Sequence, residues 1–398
     1  MVSVGEESTE DISRGRASKL WQGGFGFGRL LKDLARDLWL PLTVMLSGVL
    51  LQGLATLVPW AIERFYARLI YPRILAALCT FSGVFSLSVG EVLVYVLLGV
   101  ALFLSARFCV QTLRRSGDRV RHIRAGVRFV AWVAAAVLWS FLITFGFNYQ
   151  RPFLFELLGY EKRPAEAYEL EEIGADVVRG VNSNYIEAHS EGRAIPDSDE
   201  VKALIKESFD TTTDLKLLPR GEFAQPKPVY ASALLSRLGI SGIYFPYTGE
   251  PNYNADAPDF QQPFSLAHEM AHQRGVARES EANFVAYLVC VNSRDPFVRY
   301  SGYRGGLGVL AELYRVEPEK ARELARQLGP GFKEDSRRAA IFWARAAGAA
   351  GALSQRFNDL YLRANRVKSG VNDYQGSTAL IIGHYLQKAS RTKEPPAR

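Results

Sequence analysis

The chain has 398 residues, 48% of them hydrophobic and 22% charged, with a formal net charge of +7. These averages exclude wholesale disorder, a collagen-like repeat and a polytopic transporter, and the length allows two or three domains. Three cysteines (Cys79, Cys109, Cys290) are too few for a disulfide framework.

The apolar residues crowd into the first 150 positions. Residues 38–62 run for 25 positions without a charge, enough to cross about 30 Å of hydrocarbon. Pro41 and Pro59 lie near the two ends of this run. It follows a 37-residue polar lead, so it is too long and too late for a cleavable signal peptide and reads as a retained span. Residues 74–85 are uncharged but too short to cross, which predicts a surface-lying or re-entrant helix. Residues 92–106, prolonged to 113 if Arg107 snorkels, form the second predicted span, and 129–147 the third.

Basic residues set the orientation. Arg14, Arg16, Lys19, Arg29, Lys32 and Arg36 precede the first span. The loop before the third carries Arg114, Arg115, Arg119, Arg121, Arg124 and Arg128 against a single acid, Asp118. The positive-inside rule then puts the N-terminus and this loop in the cytoplasm, and everything after Tyr149 on the other side. The basic excess is accounted for as a topology signal, so a lipid bilayer is expected as partner and nucleic acid is not. The predicted organisation is a cytoplasmic basic segment (1–37), a three-helix transmembrane region (38–149), an extracytoplasmic domain (150–390) and a flexible tail (391–398), in the inner or plasma membrane.

In the polar half, helical spacing covers 165–189 and 201–209. A β-branched and aromatic run between glycines predicts a strand within 239–246, and a Pro/Asn/Asp-rich loop spans 252–263. Helices are predicted over 264–274, 279–291, 306–314, 318–328, 336–349, 354–364 and 377–388. The fold class is mainly α.

One motif carries the chemistry: His268-Glu269-Met270-Ala271-His272, in a chain with only five histidines. Residues four apart share a helix face, so two imidazoles can bind one metal ion while Glu269 serves as general base toward a water molecule. A catalytic zinc takes three protein ligands as a rule. In the HExxHxxGxxH pattern the third histidine would fall at position 278, which is Arg278, so that route fails. The alternative is a glutamate from the next helix: Glu279 and Asn283 lie one turn apart on one face. Glu279 then completes the ligand set and Asn283 orients a histidine, or else simply bonds one helix to the other. Gly275 offers the intervening turn. Glu281, about 200° around the helix from Glu279, is the rival ligand.

The segment HEMAHQRGVARESEANFVAYL resembles the metal-binding core of glutamate-type zincins, the gluzincins. More narrowly, the chain resembles an uncharacterised bacterial family of membrane-anchored zinc-peptidase-like proteins, a domain of unknown function. The match runs through NYQRPF (148–153), GIYFPYTGEPNYN (242–254), the HExxH segment and YLRANRVKSGVNDY (361–374). The resemblance implies an α+β zincin-like domain with a small edge sheet, Zn2+ as cofactor, and hydrolysis of a peptide or protein substrate outside the cytoplasm. It also implies that the strand before the motif pairs with an extended substrate, and that some donor steadies the oxyanion. Tyr374 is the candidate donor, with Tyr247, Arg363 and His384 as others. The other functions open to such a chain are a non-catalytic envelope protein on a zincin scaffold and a zinc amidase acting on envelope polymers.

Overall fold

The computed structural model describes residues 9–114, 118–160, 163–221, 223–346, 351, 356, 359–360, 365 and 376–393. Among the described residues the chain is mainly helical with one three-stranded sheet. It divides into two compact units: Met1–Gly53 with Leu97–Ser140, and Leu54–Val96 with Phe141–Arg398.

Among the described residues three helices are long and apolar enough to cross a membrane: Leu30–Ala55, Val89–Arg114 and Arg119–Thr144. They supply most of the first unit. Leu50, Leu98, Leu102, Phe103 and Val130 point outward from them and are more than half exposed, as expected of helices whose solvent is lipid. The first begins earlier than the uncharged run, and its helix continues back to Thr9. Asp33 and Asp37 are accommodated because Arg124 reaches both, at 2.8 Å to Asp33 and 2.6 Å to Asp37. Trp139 donates its indole N–H to the Val44 carbonyl at 2.9 Å.

The second unit is built around the helix Glu279–Val291, whose sequence ESEANFVAYLVCV is buried on nearly every side. Packed against this central helix, and flanked by Ala167–Ala188, lie the helices Ser377–Lys393, Ser198–Thr211, Gln262–Gln273 and Pro296–Gly305. The last was not foreseen, although Asp295 caps it through bonds from Phe297 N and Val298 N and Pro296 opens it. The predicted helix over 354–364 falls mostly outside the described residues.

The sheet has the order β1 (Lys227–Pro228), β3 (Glu250–Tyr253), β2 (Gly242–Phe245). β2 runs antiparallel to β3, with Gly242 opposite Tyr253 and Phe245 opposite Glu250. Residues 252 and 253, predicted as loop, belong to a central buried strand instead. That strand is polar because its partners are non-local, as the ion pair of Glu250 with Lys227 illustrates. Among the described residues β2 pairs on one side only and is an edge strand.

The segment between the first two apolar helices belongs to the second unit. A π-helical stretch Ile62–Ile70 leads into the helix Tyr71–Ser82, which buries Tyr71, Leu75, Cys79 and Ser82 along one face. It is therefore docked on protein through one side rather than lying wholly free. Tyr71 donates its hydroxyl to the Gln273 carbonyl at 2.8 Å, and Leu75 and Cys79 pack at Gly249.

Candidate metal centre

The helix Gln262–Gln273 carries His268, Glu269 and His272, and it ends at Gly275, which adopts φ +82°. Val276 N bonds back to the Ala271 carbonyl at 3.1 Å, closing a Schellman turn. The chain then re-enters helix at Glu279, so the two ligand-bearing helices meet across five residues.

This turn brings His268, His272 and Glu279 together, with one ligand atom from each lying within 4.8 Å of the others. His268 donates Nδ1–H to Asn283 Oδ1 at 2.8 Å, and His272 donates Nδ1–H to the Val276 carbonyl at 2.7 Å. With both Nδ1 hydrogens committed, each neutral ring turns a bare Nε2 lone pair inward. The two Nε2 atoms are 3.0 Å apart. Glu279 Oε2, buried and without a hydrogen-bond partner, lies 3.1 and 3.4 Å from them. Three acceptors thus face one point, and only a proton or a cation can reconcile them.

The electrostatics agree. Burial works against an imidazolium at His272, yet the Glu279 carboxylate, Glu269 and the Val276 carbonyl together outweigh it and lift the pKa to about 9. Burial likewise disfavours a charged Glu279, but the two imidazoles hold its carboxyl well below the usual range.

Glu269 lies beside this cluster, on the β2 side. A Cβ added at Gly242 would fall 2.7 Å from its Cγ and Oε1, so glycine is what lets the strand approach the carboxylate. Burial raises the Glu269 pKa, opposed by the two histidines and by a backbone hydrogen bond from Tyr244.

The remaining sequence candidates part ways. Glu281 faces away, accepting from Leu154 N at 2.8 Å and from Arg278 at 3.1 Å. Arg278 also binds the carbonyls of Tyr149 and Arg151 at 3.0 and 2.8 Å, clamping the NYQRPF segment. His384 bonds Tyr160 and approaches Asp214. Tyr247 packs on Phe245. Tyr374 and Arg363 lie outside the described residues.

A support that sequence reasoning missed lies behind the turn. Arg151 donates to the Gly275 carbonyl at 2.8 Å and pairs with buried Glu63 at 2.6 Å. Burial pushes the Glu63 carboxyl up, but Arg151 and Arg68 outweigh that and hold it low. Phe145 lies against His272 and Tyr244, with ring centroids 6.4 and 5.2 Å away. The available signal was the helical spacing of Tyr71, Leu75 and Cys79 in a segment too short to span.

No curated protein and no solved structure matches the chain. A family model described as "Protein of unknown function (DUF3810)" matches residues 66–382, which takes in the docked segment, the sheet and both ligand-bearing helices. The chain belongs to that family.

Proposed function

We propose that this chain is a membrane-anchored zinc metallopeptidase with a zincin-like site formed by His268, His272 and Glu279 as ligands and Glu269 as general base. The observation that carries this reading is the inward convergence of two Nε2 lone pairs and an unpartnered carboxylate oxygen. The separations of 3.0, 3.1 and 3.4 Å are close to the ~3.3 Å between ligand atoms at the usual zinc bond lengths around a tetrahedral ion. Two imidazoles and one carboxylate are also the donor set of hydrolytic zinc sites. A zinc ion held there supplies Lewis-acid polarisation of the scissile carbonyl and acidifies a water molecule.

The rest is work for the chain's own residues. Asn283 and the Val276 carbonyl fix the two ring orientations. Glu269, held by the Tyr244 N–H, takes a proton from water and passes it to the leaving nitrogen. The water oxygen bonds to the carbonyl carbon as the C–N bond breaks. Among the described residues β2 pairs with no strand on its outer side, beside Glu269, where an extended peptide can use the backbone groups that the Tyr244 bond to Glu269 leaves open.

The distribution of arginines supports an extracytoplasmic domain. In a background with Cys109→Ser, a cysteine at Ser198 should react with an impermeant thiol reagent in intact cells, and one at Asp118 only after lysis. The reverse pattern overturns the sidedness.

The activity is tested on the full-length protein in detergent, with zinc content and cleavage of a peptide library measured together. Glu269→Gln should retain zinc and lose about 10²–10⁴-fold in turnover. Unchanged turnover in Glu269→Gln overturns the mechanism.

A further inference from the structure

We infer that the substrate of this site is a polypeptide anchored in the bilayer, cut in the stretch next to its membrane segment. The inference rests on the peptidase reading above and adds the substrate class. Its basis is the course of the edge strand. β2 begins at Gly242, in contact with Glu269. Tyr244 in its middle packs on Phe145 and shares a 3.3 Å contact between hydroxyls with Tyr71. It ends at Phe245, whose ring lies so close to Gly90 that an added Cβ would be 2.8 Å away. Gly90 is the second residue of the apolar helix Val89–Arg114. In four residues the strand therefore leads from the general base to the first turn of a membrane-spanning helix. At about 3.3 Å per residue, an extended chain pairing with β2 covers that path and continues into the boundary where its own membrane segment would enter.

Two further observations place the boundary close by. Phe145, whose ring neighbours His272, directly follows Thr144, the last residue of the helix Arg119–Thr144. Tyr66 donates to the Ile143 carbonyl in that helix's final turn, at 2.9 Å. The segment from Leu57 to Phe85 also turns an apolar side outward. Leu57, Trp60, Phe65, Phe81 and Val84 are each more than half exposed, while Tyr71, Leu75 and Cys79 are buried against the site domain. Both ends of this segment run into membrane-spanning helices, so the occupant of its outer side is the lipid surface. Phe145 alone thus links the His272 ring to the end of the membrane-spanning helix Arg119–Thr144. A soluble peptide has no use for that position, whereas a chain emerging from the bilayer meets β2 at once.

The test uses the zinc-loaded full-length protein in vesicles of phosphatidylethanolamine and phosphatidylglycerol. One peptide library is presented in three forms: soluble, fused to a single apolar helix through a spacer of about five residues, and fused through about 25. The short spacer matches the length of β2, and the long one controls for simple concentration at the membrane. The expected result is at least tenfold faster cleavage with the short spacer than with either other form. Equal rates for short and long spacers, or faster cleavage of the soluble form, overturn the inference and leave the peptidase reading standing. Absence of cleavage in all three forms by protein with full zinc removes both.

Discussion

Two buried charge clusters lie in the same unit and behave oppositely. Lys227 and Glu250 pair at 2.6 Å, each no more than 7% exposed. Every charge there is answered: Lys227 also donates to the Ser82 carbonyl at 2.7 Å, and Glu250 accepts from Val89 N at 3.2 Å and Gly90 N at 2.7 Å. The cluster of His268, His272 and Glu279 is buried to a similar degree, but its acceptors point at one another. Burial of charge alone is therefore no mark of function. A satisfied pair is an internal tie between strand and helix, whereas surplus acceptors leave room for a cation.

The comparison can be broken most sharply at the metal. His272→Ala or Glu279→Ala should abolish stoichiometric zinc in the full-length protein, and Glu281→Ala should leave it intact, as measured by metal analysis after gel filtration. Equal zinc in all three variants removes the contrast between the clusters. Lys227→Met strands Glu250 as an uncompensated buried charge and should cost about 3–5 kcal/mol of stability. Thermal unfolding should record that loss, and added zinc should not reverse it. Asn283→Ala sharpens the comparison from the other side. It frees the His268 ring and should weaken zinc about 10–100-fold, read by competition with a chelator, with little change in the unfolding midpoint of the metal-free chain. The smallest effect is expected at the turn. Gly275→Ala forces a side chain into φ +82° and within 3.0 Å of the Tyr71 ring, which should cost about 1–2 kcal/mol in unfolding experiments from the backbone conformation alone.

What could be read beforehand follows the range of the forces involved. The histidine pair and the Glu279–Asn283 face depend on helix periodicity, so a spacing of four residues was enough to place them. The apolar helices were equally legible, because hydrophobic length is a local property. The true start of the first was not, since Asp33 and Asp37 are both met by Arg124, far along the chain. β3 was illegible for the same reason: Asn252 and Tyr253 read as the start of a loop, and the strand is held by Lys227, which supplies the partner of the Glu250 carboxylate. The docked helix hides the same way, its buried face being matched by Gln273 and Gly249 some 200 and 170 positions later. Tyr374 stays a sequence expectation, outside the described residues.

The bond from Arg151 to the Gly275 carbonyl spans 124 positions, that from Arg151 to the Glu63 carboxylate spans 88, and that from Tyr71 to the Gln273 carbonyl spans 202. Closing loops of these lengths costs on the order of 4–5 kcal/mol of chain entropy apiece, repaid only when both sides are in place. During synthesis the docked segment and Arg151 emerge more than a hundred residues before the histidines, so the later half of the chain folds onto a surface laid down before it. A fragment begun at residue 150 would keep all three metal-facing side chains but lose Tyr71, Phe145 and Glu63. Arg151 would then be left as a buried cation with no carboxylate, behind the very turn that sets the distance between His272 and Glu279.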